Sequence, residues 1–357
     1  MRRTSVALVL VGALLLLSAC SGDDDTENAD PEADTTAAPD STTTTAVVDP
    51  ASVPAEPSAG CDGASTTPPG ETQLVVASGG NDRAYAQVVP TAHDGDTPVP
   101  LVVDFHGYSE GGPIHQVHTL LGDYGEEQGF VTVSPDSGYP VPRWDVAEGS
   151  PDLAMFGDLL DQLEADLCLD TNRLFVTGLS NGAFMTSALA CEYSDRIAAV
   201  APVAGVQDLD GCEFERPVPV IAFHGTADTF VAFDGGLGSS VADLPQPDGS
   251  GTLGDAAEDA EDEPAGPTVP ETVAAWAARN GCEGDPAEEV VADDVTLLAH
   301  PCPPGAFAEL YVVDGGGHTW PGSEFDLSIE SIVGPVTMSI DANELMWAFF
   351  QEHPLTG

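Results

Sequence analysis

Three short motifs place a serine, an aspartate and a histidine just after apolar runs of the sequence. Residues 178–182 read Gly-Leu-Ser-Asn-Gly, a G-x-S-x-G pattern in which Ser180 is expected to protrude from a sharp strand-to-helix turn. Asp228 ends the segment His-Gly-Thr-Ala-Asp, and His318 lies within Gly-Gly-Gly-His-Thr-Trp-Pro-Gly. These residue types predict nucleophilic attack by Ser180 on a carbonyl carbon, with His318 as general base and Asp228 orienting the histidine.

A histidine-glycine pair, His106 and Gly107, ends an earlier apolar run. In enzymes with a serine at a strand-to-helix turn, a loop of this kind supplies the second backbone N–H of an oxyanion hole. We therefore predict that the two donors are the amides of Tyr108 and Asn181. For the His106 side chain we favour stabilisation of the loop over acid–base chemistry.

Three aromatic residues near these motifs are candidate substrate contacts: Trp144, Phe230 and Trp320. Each could stack on a substrate ring or pack its own loop, and for Trp320 we favour packing. The chemistry needs no cofactor. His115 and His118 have a spacing that could suit a metal ion, but no carboxylate or cysteine accompanies them in a motif, so no metal is predicted.

The elements that must position these residues follow from the apolar pattern. Several runs are continuously apolar, as expected of strands buried on both faces of a sheet. Strands are predicted at 73–78, 85–89, 101–105, 130–134, 173–177, 197–203, 218–223 and 309–313, and helices at 150–167, 181–191, 271–280 and 341–352. The alternation predicts an α/β domain over residues 61–357, with a mostly parallel sheet and helices on both faces. In such a sheet the serine, aspartate and histidine follow three buried strands, in the chain order of the α/β-hydrolase triad.

Residues 235–270 interrupt this pattern with glycine, proline and acidic residues. We interpret the segment as a surface insertion rather than a second domain, with a flap beside the site as the alternative.

The N-terminal region has the pattern of an export signal followed by a tether. Residues 1–20 carry two arginines, a short apolar run and the ending Leu-Ser-Ala-Cys, which resembles a bacterial lipobox with Cys20 as the lipidated residue. An ordinary secretion signal is the alternative. Residues 21–60 are acidic and poor in large apolar side chains, so a disordered tether is predicted. The expected location is extracellular or at the cell surface, anchored through the lipid on Cys20.

The net charge of −52 is extreme, and all eight basic residues are arginine. Such a surface repels phosphate and anionic headgroups, so nucleic acid is excluded as a partner. We expect the protein to contact the membrane only through the lipid on Cys20. The charge also suggests adaptation to salt, which screens self-repulsion. We expect a monomer.

Six cysteines remain beside Cys20, an even number that favours disulfides in an exported chain. Fifteen pairings are possible, and we favour Cys61–Cys168, Cys191–Cys212 and Cys282–Cys302.

The motifs around Ser180, Asp228 and His318, with the run Ala-Ala-Val-Ala-Pro-Val-Ala-Gly at 198–205, resemble the polyhydroxybutyrate depolymerase and feruloyl esterase family, most of all its actinobacterial lipoproteins. The resemblance implies an α/β-hydrolase fold and ester hydrolysis through those three residues. The substrate would be a feruloyl or acetyl ester of plant polysaccharide, or a short polyhydroxyalkanoate oligomer. The alternatives are an acyltransferase on the same fold and a catalytically silent, tethered binding lipoprotein.

Overall fold

The computed structural model describes residues 49–62, 67–209, 211–212, 214–256 and 266–356. The predicted signal at 1–20 with Cys20, the tether up to residue 48 and positions 257–265 of the insertion lie outside the described residues. The described residues group into one compact unit.

One sheet runs through the described part of the chain, and ten strands form it in the order β1-β2-β4-β3-β5-β6-β7-β10-β9-β8. Six adjacent strands pair in parallel: β4, β3, β5, β6, β7 and β10. At the two edges of the sheet, β1 and β2 on one side and β9 and β8 on the other pair antiparallel. The strands are β1 Gly70–Ser78, β2 Asn81–Val89, β3 Val99–Phe105, β4 Val131–Pro135, β5 Leu169–Leu179, β6 Ala199–Val203, β7 Val220–Gly225, β8 Ala287–Ala292, β9 Val295–Ala299 and β10 Ala308–Val313. All eight predicted strands are present.

The hairpin of β8 and β9 was not predicted. Its outer strand β8 reads Ala-Glu-Glu-Val-Val-Ala and is almost wholly exposed, with Val290 76% accessible. An edge strand needs no buried face, so it lacks the apolar signal that marks the central strands.

Helices cover both faces of the sheet, as predicted, because two separate groups of buried side chains lie against it. One group joins the sheet to Leu159 of α3 and Trp276 of α6, and the other joins it to Trp347 and Phe350 of α8. The helices are α1 Gly112–Thr119, α2 Leu121–Gln128, α3 Pro151–Asp166, α4 Asn181–Glu192, α5 Leu253–Ala256, α6 Val269–Arg279, α7 Glu324–Val333 and α8 Ala342–Glu352. Among the described helices, none is long and apolar enough to span a bilayer.

Three disulfides join Cys61 to Cys168, Cys191 to Cys212 and Cys282 to Cys302. The favoured pairing is therefore confirmed.

The described part of the chain includes residues that the composition assigns to the tether. Residues 49–60, assigned to the tether, lie against the amino-terminal half of β5. The Ser58 hydroxyl donates to the Leu167 carbonyl (2.6 Å), the Glu56 amide donates to the Asp170 carboxylate (3.0 Å), and the Arg173 guanidinium donates to the Val53 carbonyl (3.1 Å). These contacts use the backbone and one hydroxyl rather than apolar side chains, which is why hydropathy did not reveal them.

The described part of the insertion is hydrogen-bonded rather than loose. It contains a 3-10 helix at Ser239–Asp243 and the four-residue helix α5. The Tyr108 hydroxyl donates to the carbonyl of Pro245 (2.8 Å), so the insertion touches the loop that follows β3. This contact agrees with the alternative of a flap beside the site.

Candidate active site

Ser180 lies at a sharp turn between β5 and α4, as its motif predicts. Its backbone has φ 58° and ψ −118°, a conformation that L-residues rarely adopt. A Cβ on Gly178 would come within 2.7 Å of the Phe105 carbonyl oxygen, and one on Gly182 would overlap that same oxygen. Glycine is therefore required on both sides of the serine, because the turn packs directly against the end of β3.

Asp228 and His318 meet although they are 90 residues apart. The Nδ1–H of His318 donates to Oδ2 of Asp228 over 2.7 Å, and both residues are buried. Oδ1 of Asp228 accepts the amides of Phe230 (2.8 Å) and Val231 (3.0 Å). Burial alone would raise the pKa of Asp228, but the charge and hydrogen bond of His318, together with His224 and the Phe230 amide, lower that pKa below its ordinary value.

The serine and the histidine reach the same edge of the sheet. Ser180 follows β5, Asp228 follows β7 and His318 follows β10, and these strands run parallel through β6. Within the described residues, neither the hydroxyl of Ser180 nor Nε2 of His318 has a hydrogen-bond partner. Both groups are therefore unengaged at the carboxyl edge, where open α/β sheets build their sites.

The loop after β3, residues 106–111, lies beside the serine and is named the oxyanion loop here. A Cβ on its Gly107 would lie 3.7 Å from Cβ of Ser180. Within the described chain, the amides of Tyr108 and Asn181 donate to no acceptor. His106 stabilises the loop, as expected: its ring bonds to the Gly107 carbonyl through Nδ1 (2.8 Å) and accepts the Ser137 amide at Nε2 (3.2 Å). Burial lowers the pKa of His106.

Trp144 connects the oxyanion loop to the serine turn. Its indole N–H donates to the His106 carbonyl (2.9 Å), and its own amide donates to Oδ1 of Asn181 (2.6 Å). Nδ2 of Asn181 returns a bond to the Trp144 carbonyl (3.2 Å). Sequence reasoning assigned a role to the Asn181 backbone and missed that of its side chain.

The three aromatic candidates differ in exposure. Trp144 is 3% exposed and Trp320 is 1% exposed, with the Trp320 indole N–H bonded to Asn343 (3.1 Å). The burial of Trp320 agrees with the packing alternative. Phe230 is half-buried, and its ring centroid lies 4.9 Å from that of His318. Of the three, Phe230 has the ring surface that a substrate can reach beside the histidine.

A cavity of about 880 Å³ adjoins this region. It begins at Arg143 and Trp144 and extends along α4 to the Cys191–Cys212 disulfide. Ser180 and His318 do not line the cavity, so it lies next to the reactive groups rather than around them.

A second cluster joins His115 and His118, which the sequence analysis noted, to carboxylates that it did not connect with them. Ligand atoms of Glu110, His115 and His118 lie within 4.8 Å of one another, a spacing that could hold a metal ion. Each ring nitrogen of the two histidines already faces a carboxylate, from Glu110, Asp104 or Asp326. The sequence showed the two histidines, but Asp326 is distant in the chain and belongs to no shared motif.

The fold is shared with a known esterase, an acetyl xylan esterase from Aspergillus awamori. The two structures superpose with a TM-score of 0.51 at 18% identity, over 73% of this chain and 97% of the other. The protein therefore has the α/β-hydrolase fold, as predicted.

The sequence relatives include feruloyl esterases. The chain is 25% identical to feruloyl esterase B of Piromyces equi over 64% of its own length and 41% of the relative. It is 30% identical to feruloyl esterase D of Neurospora crassa over 50% of the chain and 64% of the relative, and 32% identical to a probable feruloyl esterase C of Aspergillus flavus over 44% and 59%. The chain thus spans less than two thirds of each relative. No family model matches the sequence. Over the matched part of its length, the chain is thus similar to feruloyl esterases.

Proposed function

We propose that the protein is a serine hydrolase of carboxylic esters, with Ser180, His318 and Asp228 as its catalytic triad. The observation that carries the proposal is the bond between Asp228 and His318 at the edge where Ser180 sits on a glycine-flanked turn. An α/β fold alone hosts many activities, whereas a buried carboxylate bonded to a histidine, at the same sheet edge as a serine on a sharp turn, is the residue set that nucleophilic catalysis uses.

The reaction runs in two halves. Nε2 of His318 takes the proton of the Ser180 hydroxyl as the oxygen attacks the ester carbonyl, and Asp228 stabilises the imidazolium that forms. The carbonyl oxygen becomes an oxyanion that accepts the amides of Tyr108 and Asn181. The alcohol leaves with the proton from His318, and water then cleaves the acyl-enzyme by the same route in reverse.

For the substrate we propose a feruloyl or acetyl ester of plant polysaccharide. The names of the sequence relatives support this choice, and the half-buried ring of Phe230 beside His318 offers a surface for an aromatic acyl group. A short polyhydroxyalkanoate oligomer is the second candidate, favoured by the motif resemblance. The three disulfides support an extracellular location, with Cys20 as the proposed site of lipid attachment.

The test is kcat/KM for methyl ferulate, an aryl acetate and a soluble hydroxybutyrate trimer, with Ser180→Ala as the blank. Ser187→Ala is the matched control, because it removes a buried hydroxyl from the same helix α4. We expect Ser180→Ala to lose about 10⁴-fold or more and Ser187→Ala to keep its activity. Equal rates in wild type and Ser180→Ala would overturn the triad.

Two rival functions have distinct signatures. An acyltransferase would transfer the acyl group to a sugar acceptor faster than to water. A silent binding protein would leave Ser180 unlabelled by a fluorophosphonate probe, whereas the proposed esterase is labelled and Ser180→Ala is not.

A further inference from the structure

A line of hydrogen bonds with one ion pair in the middle joins the oxyanion loop to the loop that carries His318. The Gly107 amide donates to Oε2 of Glu110 (2.8 Å), and Oε1 of Glu110 accepts from Nδ1 of His118 (2.7 Å). On the other side of the ring, Nε2 of His118 lies 2.9 Å from Oδ1 of Asp326. Oδ2 of Asp326 accepts the amide of Trp320 over 2.6 Å.

Helix α7 completes the link at the histidine end. Asp326 lies in its first turn, and the last turn of the helix supplies the Val333 carbonyl, which accepts the His318 amide (2.6 Å). The Ser323 hydroxyl, just before α7, donates to the carbonyl of His118 (2.8 Å). The His318 backbone and the Trp320 backbone are thus both tied to one helix, and that helix is tied to His118.

The line is charged and almost without solvent. His118 is 5% exposed, Asp326 is fully buried, and the side chain of Glu110 is 10% exposed. Each ring nitrogen of His118 lies within 2.9 Å of a carboxylate oxygen, and two buried carboxylates so close favour the imidazolium form. Burial alone would lower the pKa of His118, but Asp326 and Glu110 raise it to about 9.

His115 also contacts Glu110 and links it to β3. Nδ1 of His115 lies 3.0 Å from Oε2 of Glu110, and its Nε2 lies 2.7 Å from Asp104 at the end of β3. Glu110 therefore stands between two cations and the Gly107 amide, which fixes its carboxylate in place.

We propose that His118 is a positioning residue that, through Glu110 and Asp326, holds the oxyanion loop and the His318 loop at a fixed separation. The inference rests on the proposed esterase function. The two loops supply opposite sides of the transition state, the oxyanion donor at Tyr108 and the general base at His318. A shift of about 1 Å between such groups costs on the order of 100-fold in rate.

The test is a double-mutant cycle on two residues that contact His118 from different elements, Glu110→Gln in the oxyanion loop and Asp326→Asn in α7. Both substitutions keep the side-chain volume and remove the charge. We expect each to lower kcat about 10- to 100-fold, with KM within about threefold of wild type, because the loops act on the transition state. The double variant should lose about as much as the worse single variant rather than the product of the two losses.

Asp170→Asn is the matched control. Asp170 is a buried carboxylate paired with Arg173 at the start of β5, at the opposite end of the sheet. It should lower the melting temperature and leave kcat unchanged. If Asp326→Asn does not fold, the cycle of Glu110→Gln with His118→Gln replaces it.

Losses that multiply in the double variant, or single variants that fold and keep full kcat, would overturn the proposal. Wild type and Ser180→Ala are assayed alongside. Equal rates for those two would instead reject the esterase function itself, so the two failures are distinguishable.

Discussion

Two buried clusters in this molecule pair histidine with carboxylate, and they use the pairing differently. In the first, His318 gives one ring nitrogen to Asp228 and, within the described residues, leaves the other without a partner. In the second, His115 and His118 each face carboxylates at both nitrogens. A histidine with a carboxylate at one nitrogen keeps the other nitrogen available for proton exchange, as the proposed role of His318 requires. A histidine with a carboxylate at each nitrogen is held as a cation, as the raised pKa values of His115 and His118 show.

The largest expected effect is on activity. His318→Leu removes the general base, and we expect kcat/KM to fall about 10⁴-fold or more. His93→Leu, outside both clusters, should keep its activity. Methyl ferulate hydrolysis by folded protein, checked by circular dichroism, measures both. Retained activity in His318→Leu would remove the contrast between the clusters.

The second effect is on stability, and we expect it to be larger in the cluster of His115 and His118 than in the pair of His318 and Asp228. His115→Leu leaves the carboxylates of Asp104 and Glu110 buried with one cation fewer, and we expect it to cost about 3–5 kcal/mol of unfolding free energy. His318→Leu should cost less, because Asp228 keeps the amides of Phe230 and Val231. Urea unfolding of both variants measures the two losses in unfolding free energy. Equal losses would mean that both clusters serve stability alike.

The third effect is that the two clusters contribute to the unfolding free energy over different pH ranges. Asp104 and Glu110 hold the pKa of His115 at about 10 against its burial, and Asp326 and Glu110 hold that of His118 at about 9. Both values lie above the ordinary value of 6.5, so the contribution of these histidines is complete below pH 6.5 and is lost as the pH rises through 9–10. For His118 this amounts to about 3 kcal/mol.

The pKa of Asp228 is lowered, so its contribution is present above the ordinary value of 3.8 and is lost as the pH falls through its folded value. Unfolding free energy measured from pH 3 to pH 10 should therefore decline at both ends. In His115→Leu the alkaline decline should shrink, and so should the part of the acidic decline that comes from Glu110, whose pKa His115 lowers, while the part from Asp228 stays. An unchanged alkaline limb would contradict the assignment.

The smallest effect concerns salt. Exposed like charges are screened by ions, so the melting temperature of a chain with net charge −52 should rise by a few degrees from low to molar salt. Buried pairs are screened far less, and the cost of His115→Leu should therefore be the same at both salt concentrations. A melting temperature that does not rise would reject the adaptation to salt.

The sequence predicted those parts of the molecule that depend on residues close together in the chain. The central strands carry their own apolar runs, and Asp228 and His318 each directly follow a strand, so their meeting follows from the parallel sheet. The edge strand β8 is almost wholly exposed and left no signal. The line from Glu110 to Asp326 spans more than 200 residues, and a hydrogen bond between distant segments has no pattern in a single sequence. Residues 49–60 escaped prediction for the same reason, since backbone groups make most of their bonds.

Those same residues enter the domain far from Ser180. They are fastened to the amino-terminal half of β5 and, through Cys61, to Cys168, while Ser180 follows the other end of that strand. At about 3.3 Å per residue, the 11-residue strand separates the two ends by about 35 Å. The edge of the sheet that carries Ser180 is therefore left uncovered by residues 49–60, which lie about one strand length away.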